Sequence, residues 1–143
     1  MERRTNEEVI REGFLAFSEG RLEDCLKTLD PAVEWHVAFR LPDLPPELTV
    51  ARGHDEVMEI WRRFRSVWES LVFSPEAILH DAENLAIVRI HIEAKGGESG
   101  IHLDQTVFYV LTMRDQKLLR TVPFDTLEEA AAEAGVDPAA LKG

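Results

Sequence analysis

The sequence predicts an α+β domain in which about three helices come first, a curved and mainly antiparallel sheet follows, and one more helix ends the fold. Three observations predict it. Apolar residues recur at helical spacing through most of the first 71 positions, broken by one strand-like run. From about residue 72 to residue 124 the period changes to two, and Gly-rich or polar connections cut that stretch into hairpins. A capping pattern then opens a final Ala- and Glu-rich helix.

The first helix begins at Thr5, which forms a capping box with Glu8, and buries Val9, Ile10, Gly13, Phe14 and Phe17 before Gly20 ends it. A shorter helix from about Leu22 to Leu29 sets Cys25, Leu26 and Leu29 on its apolar side, and Asp30-Pro31 stops it. Cys25 reads as a small core residue. Val33 to Phe39 reads as a strand, and residues 40 to 49, with three prolines, as a loop. From Gly53 to Leu71 a long helix lines one face with Val57, Ile60, Trp61, Phe64, Val67, Trp68 and Leu71.

Strands follow at about Val72 to His80, Leu85 to Lys95, Ile101 to Arg114 and Lys117 to Phe124, joined by hairpins at Gly96 to Gly100 and Arg114 to Lys117. Thr126 with Glu129 caps the last helix and Gly135 ends it. No internal repeat or linker divides residues 1–143, which suit a single domain.

With 16 Lys+Arg against 27 Asp+Glu, the net charge of -11 repels phosphate backbones and anionic lipid. The short Arg62-Arg63-x-Arg65 run does not offset it, so neither nucleic acid nor membrane is an expected partner. The longest apolar run, Val107 to Leu111, is far short of a membrane span. The charged first residues do not resemble a signal peptide, and the expected location is cytoplasmic.

Strand alternation sends Ala86, Val88, Ile90, Ile92 and Ala94 inward and Arg89, His91, Glu93 and Lys95 outward. A two- or four-residue turn in the Gly-rich hairpin makes His91 and Glu93 neighbours of His102 and Asp104 on the outer face, where the four read as a surface charge network rather than a metal site. Gln105, Val107, Tyr109, Leu111 and Met113 point inward, and a turn at Asp115-Gln116 adds Leu118, Arg120, Val122 and Phe124 to that face. Gln105, Tyr109 and Arg120 among apolar neighbours suit a mostly apolar pocket, although Tyr109 bonded to backbone and Arg120 reaching the rim fit the same spacing. Phe108, Val110 and Leu119 fall outside, where a monomer would leave them wet, and they predict a homodimer through the outer sheet face.

The order of elements resembles the SnoaL-like, ketosteroid isomerase-like branch of the nuclear transport factor 2 superfamily. Phe17-Ser-Glu-Gly20, Leu29-Asp-Pro-Ala-Val-Glu-Trp-His36, Gly53-His-Asp-Glu-Val57 and Thr112-Met-Arg-Asp-Gln-Lys117 carry the likeness, which covers nearly the whole chain. It implies a cone, with the sheet wrapped around the helices, and a fold that hosts isomerases, cyclases, dehydratases, epoxide hydrolases and non-catalytic binders. By this resemblance the aspartate general base of ketosteroid isomerase falls on His36, whose imidazole suits proton transfer at neutral pH. The oxyanion-hole acid falls on Tyr109, and the first-helix tyrosine falls on Gly13, so one donor of the steroid isomerase is missing. The Asp-Arg-Asp set of limonene epoxide hydrolase is not matched by the outward Arg89 and His91.

These readings predict a cofactor-independent isomerase or cyclase acting beside a carbonyl of a small apolar ring compound, with His36 and Tyr109 as catalytic groups. Phe14, Phe17, Trp35, Trp61, Gln105, Arg120 and Phe124 would line the substrate pocket. A regular strand puts Glu34 and His36 on one face and Trp35 on the other, and a bend would exchange them. The alternative is a ligand-binding or dimeric interaction module without chemistry. Neither a metal nor a cofactor is called for.

Overall fold

The computed structural model describes residues 5–37, 50–97, 100 and 102–141, without the side chains of residues 65 and 67. Helix α1 (Asn6–Ser18) and the short α2 (Leu22–Lys27) lead into strand β1 (Leu29–His36), followed by β2 (Val50–Arg52) and the long helix α3 (Gly53–Val67). Strands β3 (Trp68–Ala82), β4 (Leu85–Gly96), β5 (His102–Arg114) and β6 (Lys117–Phe124) precede the last helix, α4 (Leu127–Ala134). The six strands form one sheet in the order β2-β1-β6-β5-β4-β3, parallel between β1 and β6 and antiparallel elsewhere. The predicted loop at residues 40–49 lies outside the described residues.

Local chemistry fixes the helix ends. Thr5 accepts from the Glu8 amide while the Glu8 carboxylate accepts from the Thr5 amide, the predicted capping box. Thr126 caps α4, and Gly135 closes it at φ +72°. Gly53 joins β2 to α3 at φ +81°, a left-handed conformation that a side chain would strain. The ends of α1 are pinned along the edge strand β3, with the Asn6 amide donating to Ala82 O at 2.9 Å and Ser18 Oγ accepting from Phe73 N at 2.8 Å. This holds Phe14 and Phe17 against the inner face of the sheet, where both are buried.

Gly13 has a packing reason. A Cβ there would lie 2.7 Å from Thr28 Oγ1, and that hydroxyl is already committed to Cys25 O at 2.6 Å. Cys25 is buried as expected, and desolvation pushes its thiol up to about 12, so it stays protonated.

The structure corrects two boundaries and adds one strand. Strand β1 begins at Leu29, with Asp30 and Pro31 inside it, instead of at Val33. The long helix stops at Val67, because Trp68 and Leu71 pair across to Gly96 and Ala94 as the start of β3. The three-residue β2 was not anticipated, and it pairs Ala51 with Trp35 at the sheet edge.

The main core lies between the inner face and helices α1 and α3. A second cluster of Leu79, Ile87, Val110 and Ala130 forms where α4 crosses the outer face, and Phe108 and Phe124 pack against it. Burial on both faces explains the unbroken run Ala86, Ile87, Val88 on β4. Val110 is therefore buried, and Phe108 partly buried, in the cluster that α4 makes with the outer face, a cover the sequence did not anticipate. Leu119 on β6 is half-buried.

Candidate functional site

Five aromatic side chains from four elements meet on the inner face. The Phe17 ring stacks on Trp35 at 5.6 Å between centroids, and Phe14 stacks on Phe73 at 6.0 Å. Phe14 also tilts against Trp35 and against Tyr109, at 6.0 and 5.5 Å. Trp61 borders the cluster from α3, with its indole N–H directed to Phe17 O at 3.5 Å. Gln105 sits half-buried on the same side of β5, opposite the inward Ile92.

Tyr109 joins the cluster through Phe14, is wholly buried, and its hydroxyl has no hydrogen-bond partner among the described residues. Burial raises the phenol's pKa above the ordinary tyrosine value, so it remains a neutral O–H donor at physiological pH. A second orphan hydroxyl, Thr121 Oγ1, belongs to β6 between the level of Trp35 on β1 and that of Leu111 on β5. Leaving a buried hydroxyl unsatisfied costs about 1–3 kcal/mol, so two of them on one face mark the inner face as polar in a way its apolar lining does not require.

His36 is not there. Trp35 takes the inner side of β1, so Glu34 and His36 take the outer side, as a regular strand requires. His36 Nε2 is 3.1 Å from Glu34 Oε2, and Arg120 Nε donates to the same oxygen at 3.2 Å. The imidazole and then the guanidinium hold the Glu34 carboxyl below its ordinary value. Arg120 also reaches Glu133 of α4 at 3.6 Å. The two groups that the family resemblance offered as one acid-base site thus lie on opposite faces of the sheet.

Arg120 and Phe124 are corrected with it. The turn at Asp115-Gln116 forms as expected, both residues having positive φ, and Met113 pairs with Leu118. The register then shifts, so that Thr112 pairs with Arg120 and Phe108 with Phe124. This β-bulge at Leu119 inserts one residue and exchanges the faces of everything after it. Arg120, Val122 and Phe124 turn outward, and Thr121 turns inward in their place. Of the predicted pocket residues, Phe14, Phe17, Trp35, Trp61, Gln105 and Tyr109 stay on the inner face.

Two inner residues escaped the sequence reading. Phe73 had a signal, because Leu71 and Phe73 alternate with the exposed Val72. Thr121 had none, since only the bulge brings it inside.

A family model described as a SnoaL-like domain matches residues 10–121. No curated protein matches the chain. Among solved structures, a nuclear transport factor 2-like protein from Burkholderia thailandensis superposes with a TM-score of 0.70 at 20% identity, over 94% of this chain and 100% of that one. The protein TerC, co-crystallized with polyporic acid, gives 0.68 at 20% identity, over 90% and 95%. A protein with a ketosteroid isomerase-like fold from Catenulispora acidiphila gives 0.68 at 9% identity, over 92% and 95%. At such identities the structures report the fold, while the domain match spans most of the sequence from α1 to the turned-in Thr121: the chain belongs to the SnoaL-like domain family.

Proposed function

We propose that the inner face of the cone binds a small apolar ring compound and that the Tyr109 phenol orients it by donating a hydrogen bond to a ligand oxygen. The observation that carries this reading is the wholly buried Tyr109 hydroxyl, without a hydrogen-bond partner among the described residues, on a ring that packs against Phe14 of the aromatic cluster. A ligand carbonyl would supply the missing acceptor, and Phe14, Phe17, Trp35 and Phe73 would supply the apolar contact. The crystallization of TerC with polyporic acid supports a small organic molecule as occupant of this fold.

An isomerase or cyclase reaction at the same inner face is the second reading, and the same phenol favours it. A donor on a carbonyl oxygen also stabilises the enolate that forms when a neighbouring proton leaves. His36 is not its base, because Trp35 occupies the inner side of that strand.

A thermal-shift panel of enones, aromatic polyketide-like compounds, lactones and epoxides tests the proposal. A ligand at about a hundred times its dissociation constant adds roughly 2.7 kcal/mol. A compound class that raises the melting temperature, and does so less in Tyr109→Phe, is the expected result. No shift with any class, or an equal shift in the variant, would overturn it.

A further inference from the structure

Outside the area covered by α4, the outer face of β4 and β5 carries a second constellation, on the opposite side of the sheet from the aromatic cluster. One ligand atom each from His91, Glu93 and Asp104 lies within 4.8 Å of the others. His91 Nε2 is 3.2 Å from Asp104 Oδ1. Glu93 and Asp104 face each other directly across the two strands. Like charges in that relation destabilise a sheet, and the chain already carries a net charge of -11.

Among the described residues no lysine or arginine lies within ion-pair distance of either carboxylate, the exposed Lys95 two residues along the same face included. Glu93 has no ion-pair partner and Asp104 has only His91, while Arg89, on the same face, is engaged by Glu76 at 3.3 Å. The backbone under the three side chains is held firmly, since Ile90, Ile92 and Ala94 on the reverse of β4 are wholly buried. An imidazole nitrogen and two carboxylates on adjacent strands are the donor types of a zinc-class site. Ligands at about 2.0–2.2 Å from a tetrahedral zinc stand roughly 3.4 Å apart. The His91–Asp104 separation of 3.2 Å is near that spacing, and Glu93, within 4.8 Å of both, would close it by a side-chain turn toward them along the outer face.

We propose that His91, Glu93 and Asp104 bind one divalent cation of the zinc class, with water completing its coordination. The cation would neutralise the opposed carboxylates and staple β4 to β5. Its imidazole ligand would favour Zn2+ over Mg2+, which prefers oxygen donors and keeps its water.

The test is calorimetric titration of the EDTA-dialysed, tag-free full chain with ZnCl2, paired with thermal melts. One zinc per chain is expected, with a raised melting temperature, affinity at least about tenfold weaker in His91→Gln and in Glu93→Gln, and unchanged affinity in His102→Gln. Circular dichroism confirms that the variants fold. No zinc binding, undiminished binding in His91→Gln, or an equal response to MgCl2 would each overturn the site. Ring-compound binding in Glu93→Gln stays at the wild-type level, so failure here is distinct from failure at Tyr109.

Discussion

The Phe17 and Trp35 rings stack with their planes 18° apart, and this contact settles which side of β1 faces the core. With Trp35 inside, Glu34 and His36 are outside, where His36 and Arg120 share the Glu34 carboxylate. Trp35→Ala is expected to cost about 3–5 kcal/mol, as removal of a buried aromatic does. His36→Ala, at a part-exposed position, should change stability far less. Urea unfolding of both variants measures the contrast.

Gly13→Ala should destabilise the protein although alanine is the better helix former. Helix propensity offers about 1 kcal/mol, but the new Cβ would sit 2.7 Å from Thr28 Oγ1, and overpacking of this kind costs roughly 1–3 kcal/mol. Unfolding midpoints decide the sign. Pairing Gly13→Ala with Thr28→Ala, which removes the crowding oxygen, should cost less than the sum of the two single substitutions if crowding is the cause.

The Asp115-Gln116 turn has φ of 50° and 63°, so both residues sit in the left-handed region. Such a conformation costs an L-residue roughly 1–2 kcal/mol and glycine nothing. Gln116→Gly should therefore stabilise by about 0.5–1 kcal/mol, with glycine's greater freedom in the unfolded chain limiting the gain. Thermal denaturation reads it directly.

Asp30 links β1 to the β5–β6 hairpin through two bonds from Arg114, at 2.8 and 3.0 Å, and accepts from Ala32 N at 2.8 Å. The Arg114 guanidinium, with the Ala32 amide, holds its carboxyl below the usual aspartate range. A lowered folded-state value gives stability that is present above the unfolded value of about 3.9 and is lost as pH falls through the folded one. Stability should thus decline below about pH 4, and Asp30→Asn should be less stable at neutral pH with a flatter decline. Glu34 is shifted in the same direction, so part of the slope remains. Denaturant midpoints from pH 2 to pH 7 test this.

Much of this architecture is legible in the residues because several signals coincide. The Thr5 and Thr126 caps and the inward series Ala86, Val88, Ile90, Ile92 each have one physical solution. The β4–β5 pairing follows equally from alternation, including Glu93 opposite Asp104. What escaped depends on partners distant in sequence. Leu118-Leu119-Arg120-Thr121-Val122 alternates poorly in either register, so nothing local reveals the bulge, and Arg120 and Thr121 exchange faces with it. Trp68 and Leu71 continue a helical spacing and become strand only because β4 offers them a pairing edge. On the inner face, spacing placed Tyr109 inward, yet only three-dimensional packing reveals that its hydroxyl lacks a partner among the described residues.

The most direct measurement is the stability of Tyr109→Phe with and without the ring compound that shifts wild type most. Removing an unsatisfied buried hydroxyl should raise the stability of the free protein, by up to about 1–3 kcal/mol. Losing the proposed donor should weaken binding about tenfold, the equivalent of 1.4 kcal/mol. A variant that is more stable when free and poorer at binding is the predicted result. A free variant less stable than wild type, or one that binds the ligand equally well, would contradict the assignment of Tyr109 as the ligand's hydrogen-bond donor.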